Sequence, residues 1–402
     1  MTMKNQNYVC IFTGGSIRGA AYVGALRAME ELGINNLCFV GSSVGSVISV
    51  FYAAGGSPDE LEKIINSINF DLFKDINFSF SKDFSISKGE HFLEWLREHI
   101  EKQFYGENYK KGQNPPVTFK DLKKDVVILT TDILTTSVKV FSKKETPDFE
   151  VAQAVRISSS MPGLLKPYQL NNQLLVDGDL SRSWPIWKIV PSLCDYNARM
   201  LEFRLEGSKE RFKLDNTMDF LNSVYTAFSN FAADHVISGY QNCDMFDYIR
   251  LDSGDVNITD FNLSQEKRNE LYEMGYQTTK NYFKNVLPVK KANILPHYKI
   301  FVKKLLEIQK YIQTSKYILA KNALAELFVD ISKARKVIDV TYYDRILDFY
   351  EEYTQNLFFA FGLMTIVKNK NELSAKLDEI IVNLTKKTEE MEYFINSVEL
   401  NQ

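Results

Sequence analysis

The sequence predicts an α/β fold in two parts: a three-layer domain on a parallel sheet, followed by an all-α C-terminal region. Three observations lead there. Strand and helix signals alternate from Tyr8 to about Ser67, and strands joined through helices run parallel with right-handed crossovers. Further strand signals recur as far as Leu251. All ten prolines lie at or before Pro296, and residues 297–402 hold a single glycine, Gly362, so long helices with few tight turns are expected there. A chain of 402 residues has room for two or three domains. The expected division is an α/β domain at 1–287, a linker at 288–296 and a helical domain at 297–402.

Each element has a local cause. Tyr8–Thr13 is a short apolar strand that runs into Gly14-Gly15. Ala20–Leu32 has helical spacing and stops at Gly33, in the position of a C-cap glycine. Leu37–Val40 is a second strand, ending at Gly41-Ser42-Ser43-Val44-Gly45. A helix follows to about Ala54 and is closed by Gly55-Gly56. Ser57-Pro58-Asp59-Glu60 opens a third helix, with Ser57 as N-cap, Pro58 at the first helical position and Glu60 completing a capping box. Residues 71–86 are rich in Phe and Ser, and one helix is expected at roughly His91–Gln103. Strands then follow at Val126–Thr131, Val138–Phe141, Gln173–Val176, Met200–Leu205 and Met245–Leu251. In the tail, Leu305, Leu306, Ile308 and Ile312 recur at helical spacing.

Composition excludes several classes of function. Lys plus Arg number 48 against 51 Asp plus Glu, a net charge of -3, and this balance argues against a nucleic-acid partner. The four cysteines are far apart with no Cys-x-x-Cys pair, so neither a disulfide framework nor a cysteine-ligated zinc site is expected. The first residues lack the shape of a signal peptide. The longest uncharged apolar run, Leu357–Val367, falls well short of the roughly 20 residues of a spanning helix. Residues 293–402 carry 15 basic and 15 acidic side chains, which is no polybasic membrane anchor.

Three short segments could carry chemistry. Gly41-Ser42-Ser43-Val44-Gly45 fits Gly-x-Ser-x-Gly, in which a serine sits on a sharp strand-to-helix turn between small residues. The helix that follows points its N-terminal dipole at a developing oxyanion. The bland alternative is a tight turn with an incidental serine. Gly14-Gly15-Ser16-Ile17-Arg18-Gly19 leaves the first strand and opens the first helix. A phosphate-binding loop lacks its lysine here, because Ala20-Ala21 follow Gly19. A dinucleotide fingerprint lacks its second glycine, which Ser16 replaces. An oxyanion loop remains, with successive N–H groups turned to one point and Arg18 adding positive charge, beside a glycine-rich turn without ligand. Asp177-Gly178-Asp179 closes the strand Gln173–Val176, where a carboxylate could serve as base or simply make a turn.

Histidine placement restricts the choice. The four are His91, His99, His235 and His297, and of these only His235 follows the acid within the α/β part. It lies inside an apparently helical stretch, whereas a Ser-His-Asp hydrolase brings its histidine from a late loop. A serine–aspartate dyad fits better than a triad.

Together these segments resemble the patatin-like phospholipases, in the order Gly-Gly-Gly-x-[Lys/Arg]-Gly, Gly-x-Ser-x-Gly and Asp-Gly-[Gly/Ala]. Ala154–Gly163, Trp184-Pro185-Ile186 and Val256–Tyr282 are similar to the family's segments as well, so the resemblance covers about residues 8–287. It implies Ser43 as nucleophile and Asp177 as base. It also implies an oxyanion hole from Gly14, Gly15 and Ser16 with Arg18 in support, and an elbow shaped by Gly41 and Gly45. Three departures stand out: Ser16 for a glycine, Asp179 for a small residue, and Ser183 where asparagine is common. Two carboxylates that close would raise the pKa of one of them.

The implied function is a lipid acyl hydrolase that cleaves ester-linked fatty acids from membrane phospholipids, with neither metal nor organic cofactor. The rival expectation is a catalytically weakened lipid-binding or scaffold protein on the same fold, and a dinucleotide enzyme is a distant third. The aromatic segment Phe70–Phe84 suggests a lid or membrane contact, and ordinary core packing is the competing reading. The tail is expected to pack as a bundle or to self-associate, with binding of an activator as the alternative. The expected place is the cytoplasm, with peripheral membrane contact.

Overall fold

The computed structural model of the protein describes residues 7–68, 75, 84–181, 198–207, 217–240, 242–256, 260, 263–334, 336–360 and 364–399. The chain divides into two compact units. The first comprises residues 3–238 and 247–282, and the second 239–246 and 283–402.

The first unit is built on one mixed sheet. Its strands are β1 (Asn7–Phe12), β2 (Asn35–Gly41), β4 (Asp125–Asp132), β5 (Ser137–Ser142), β7 (Tyr168–Leu170), β8 (Gln173–Val176), β9 (Arg199–Glu206) and β10 (Phe246–Asp252). The order is β10-β9-β1-β2-β4-β8-β7, with β5 paired to β4. β9, β1, β2 and β4 run parallel, as the strand–helix alternation requires. β3 (Ser85–Ser87) and β6 (Gly163–Leu165) form a separate parallel pair. The alternating residues of β1, β2 and β4 are buried on both faces: Val9, Ile11, Val40 and Val127 on one, Cys10, Phe12, Phe39 and Ile128 on the other. A parallel sheet buried on both sides is the middle layer of an α/β sandwich.

Helix α1 (Ala20–Glu31) follows the loop after β1, α2 (Val44–Ala53) follows β2, and α3 (Pro58–Ser67) follows at once. The Ser57–Glu60 capping box forms as expected, with Glu60 N–H donating to Ser57 Oγ and Ser57 N–H to Glu60 Oε2. α4 (Glu90–Tyr105), α5 (Val151–Ser158), α6 (Thr217–Tyr240) and α7 (Gln265–Asn281) complete the unit's main helices.

The mostly parallel sheet also takes in antiparallel strands. β5 and β8 both run antiparallel to β4, and β7 antiparallel to β8. One edge of β4 is taken by β5 over Val127–Asp132. The other is shared by β2, as far as Gly41↔Ile128, and by β8, at Thr131↔Val176 and Asp132↔Leu175. The C-terminal ends of β2 and β8 therefore run toward each other along one edge of β4. Cys38 is disulfide-bonded, which the wide cysteine spacing did not lead us to expect.

The second unit is helical: α8 (Leu287–Gln313), α9 (Tyr317–Ala334), α10 (Val340–Gln355) and α11 (Lys370–Glu399). The segment 288–296, expected as a linker, is helix. Pro288 occupies the first turn of α8 and Pro296 sits in its interior. Pro288 costs nothing there, since a first-turn N–H has no intrahelical partner. Pro296 removes one hydrogen bond, but Ile294, Tyr298, Phe301, Leu305, Ile308 and Ile312 form a buried stripe through the same region, and that burial outweighs the loss. Leu306, counted among the apolar periodic positions, is exposed. The region is also not purely helical, because β11 (Leu357–Ala360) and β12 (Met364–Val367) pair antiparallel. Their aromatic and β-branched residues favour strands, and the long apolar run of the sequence is thereby used in a two-stranded ribbon. Among the described residues no helix is long and apolar enough to cross a membrane.

Candidate active site

Ser43 sits between β2 and α2 with φ 50° and ψ −127°, a backbone conformation that a residue with a Cβ adopts only under restraint. The restraint is visible. Ser42 N–H donates to Phe12 O, and Ser43 N–H points at Ser158, whose O lies at 3.2 Å and Oγ at 3.0 Å. Ser46 Oγ–H donates to Ser43 O at 2.5 Å. Gly45 is required by close approach, since a Cβ there would run into Phe12 O. The two serines of the elbow differ in setting. Ser43 is partly accessible, while Ser42 is buried and its hydroxyl donates to Asp179.

Asp177 leaves β8 into the same place and is 1% exposed. Its carboxylate accepts the Asp179 N–H at 2.9 Å to Oδ1, and the nearby Ser43 and Tyr225 hydroxyls favour its ionised form. Its backbone is held by Ser160 O, which accepts the Asp177 N–H at 3.0 Å, and by Thr131 Oγ–H, which donates to Asp177 O at 2.8 Å. Burial and then the neighbouring negative charge of Asp179 push the Asp177 carboxyl up to about 8. The rise expected from two close carboxylates is thus present, with desolvation as the larger cause.

The loop after β1 lies alongside. Gly14 N–H donates to Asp179 Oδ1 at 2.8 Å. Ser16 takes the left-handed conformation usual for the glycine it replaces, with φ 54°, at a cost of about 1–2 kcal/mol. Arg18 Nε donates to Gly15 O at 3.0 Å and Nη1 to Ser253 Oγ at 3.4 Å, so its cation braces the loop from its carbonyl side. The loop after β1, the elbow after β2 and the turn after β8 are thus joined by hydrogen bonds around Asp179.

Three contributors were not evident from the motifs. Tyr225 lies on α6, and no local pattern marks it. Ser158 and Ser160 lie in the segment Ala154–Gly163, where a family likeness but no role could be read, and they hold the backbones of Ser43 and Asp177. His99 Nδ1 meets Trp95 O at 2.8 Å and its ring packs on Trp95, a structural setting. The side chain of His235 on α6, Ser183, Trp184–Ile186 and most of Phe70–Phe84 lie outside the described residues.

A strained serine at a helix N-terminus facing a buried carboxylate is an arrangement suited to ester hydrolysis. Residues 11–188 match the family model of patatin-like phospholipases, so this part of the chain is similar to that family. An uncharacterised protein of Acanthamoeba polyphaga mimivirus is 29% identical over 276 residues, 67% of this chain and 91% of that protein. A probable lipid hydrolase of Invertebrate iridescent virus 6 is 26% identical over 181 residues, 44% of this chain and 61% of the viral protein. Among solved structures, VipD from Legionella pneumophila is similar with a TM-score of 0.46 at 16% identity, covering 97% of this chain and 88% of that one.

Proposed function

We propose that the protein is a serine acyl hydrolase of phospholipase A type, releasing ester-linked fatty acids from membrane phospholipids through a Ser43–Asp177 dyad. The observation that carries the reading is the placement of Ser43, on a strained strand-to-helix turn, beside the buried Asp177 carboxylate. Ser43 Oγ attacks the ester carbonyl while its proton passes to Asp177. The oxyanion is held by the N–H groups of Gly15 and Ser16, assisted by the α2 dipole. Collapse expels the lysophospholipid alkoxide, which takes the proton from Asp177. Water then attacks the acyl-enzyme, again losing its proton to Asp177, and the fatty acid departs as Ser43 is reprotonated.

The substrate reaches the site from a bilayer, and the protein meets the membrane peripherally. In support, α6, which brings Tyr225 near Asp177, exposes Phe220, Val224, Phe228 and Phe231. The cytoplasm is the proposed location.

The test compares wild type with Ser43→Ala. Wild type should react with a fluorophosphonate probe and release fatty acid from mixed phospholipid vesicles. The variant should lose labelling and at least about a thousandfold in release rate. Release that survives in Ser43→Ala would refute the dyad. A wild type that binds vesicles but neither labels nor releases fatty acid would point instead to a lipid-binding protein on this fold.

A further inference from the structure

We propose that Asp179 is a positioning residue of this site, one carboxylate that ties the oxyanion loop to the nucleophile elbow while its backbone orients the base. The proposal rests on the serine hydrolase reading above and adds to it a residue where the family pattern has a small one.

Asp179 is 3% exposed and lies on the turn after β8. Its Oδ1 accepts the Gly14 N–H at 2.8 Å and the Ser42 hydroxyl. Its own N–H donates to Asp177 Oδ1 at 2.9 Å. The loop after β1, the elbow after β2 and the acid after β8 are thus fastened to one residue. The fit leaves no slack: a Cβ on Gly14 would run into the Asp179 carboxylate and the Ser43 Cβ, and one on Gly178 into Leu129 O and the Ser42 Cβ.

The charge has two effects of opposite sign. An ionised acceptor makes stronger hydrogen bonds than a neutral one, which favours a rigid loop. It also places a negative charge beside Asp177, which opposes ionisation of the base. The titratable groups that act on Asp177 are Asp179 on its own turn and Tyr225 from α6, and the elbow presents the Ser42 and Ser43 hydroxyls. Arg18 of the oxyanion loop is engaged by Gly15 O and Ser253 Oγ. With the Gly14 N–H committed to Asp179, oxyanion binding falls to the N–H groups of Gly15 and Ser16, whose placement depends on that anchor.

Asp179→Asn keeps an acceptor and removes the charge, whereas Asp179→Ala removes both. Two readouts on the full chain separate the roles: hydrogen exchange of the Gly14 amide, and the pH profile of fluorophosphonate acylation at Ser43. We expect Gly14 exchange to quicken at least about tenfold in Asp179→Ala and to stay near wild type in Asp179→Asn. The acylation midpoint should fall to lower pH in both variants, and the plateau should drop about tenfold or more only in Asp179→Ala. Unchanged Gly14 exchange in Asp179→Ala, or a plateau equal to wild type, overturns the proposal. If Asp179→Ala does not fold, Asp179→Asn decides: a lower midpoint with retained plateau and Gly14 protection supports it, and loss of both plateau and protection overturns it. A wild type that never acylates would refute the hydrolase reading, while Gly14 exchange would still decide whether Asp179 anchors the loop.

Discussion

At the scale of residues, the site joins a group that resists ionising to a reaction that needs it ionised. On the proposed mechanism Asp177 accepts a proton only as a carboxylate, so with its pKa raised to about 8 the acylation rate of Ser43 should climb with pH, be half-maximal near 8 and level off above. A profile already flat from pH 5 upward would contradict this. The same group affects stability. An unfolded aspartate ionises near 3.9, so between about pH 4 and pH 8 the folded chain holds a proton that the unfolded chain has released. The stability contribution of Asp177 is thus present below pH 4 and lost as pH rises toward 8. Asp177→Asn, which keeps the shape but cannot ionise, should gain on wild type over that range, on the order of a few kcal/mol by pH 8. Urea denaturation of both chains at pH 5 and pH 8 measures the difference, and an equal gap at the two pH values would be the wrong result. The motif residues were legible because their types are restricted by sterics and chemistry: glycine where a Cβ has no room, serine where a nucleophile turns. Tyr225 was not legible, since a tyrosine on an amphipathic helix looks the same whether it packs or reaches a carboxylate.

At the scale of elements, β4 explains how residues 134 positions apart in sequence come to lie beside each other. β2 and β8 share one edge of it from opposite directions, so Ser43 and Asp177 emerge facing each other. The strand signals were visible in the sequence, and β8 falls where it was read, Gln173–Val176. Its direction was not visible, because a four-residue strand carries no mark of whether it pairs parallel or antiparallel. α6 raises a different matter, since Phe220, Phe228 and Phe231 are more than half exposed, an unfavourable surface for water. If this face meets lipid, Phe228→Ser combined with Phe231→Ser should reduce co-sedimentation with phosphatidylcholine vesicles several-fold, while fluorophosphonate labelling in solution is kept. Full retention of vesicle binding in a folded double variant would remove α6 from the contact.

At the scale of the whole molecule, the helical unit is held by a charged centre as well as by its apolar stripe. Lys387 of α11, half-buried, pairs with Asp244 at 2.7 Å and Asp339 at 3.0 Å, and Tyr298 donates to Asp244 at 2.9 Å. Burial alone would lower the Lys387 pKa, but Asp244, Tyr298 and Asp339 outweigh it and hold the amine well above its ordinary value. Asp244 belongs to the 239–246 segment, which precedes β10 and yet belongs to this unit. Lys387→Met leaves two buried carboxylates without their cation and should destabilise the unit by about 3–5 kcal/mol, read as a lower thermal midpoint. A change within about 0.5 kcal/mol would show that the centre contributes little.

The sequence by itself determined the strand and helix alternation, the helical character of the tail, the three glycine-bearing motifs and the family they resemble. Each depends on local period, caps or backbone sterics, which neighbours in sequence decide. Tertiary structure alone decided the rest. The antiparallel entry of β8 aims Asp177 at Ser43, the Asp179 carboxylate gathers loop and elbow, and the 239–246 segment joins the helical unit. A boundary drawn at prolines misplaced the linker, because Pro296 is carried inside a helix by the burial of its neighbours. These features rest on pairing and burial between distant segments, whose energies exceed local propensity and leave no periodic trace in the chain.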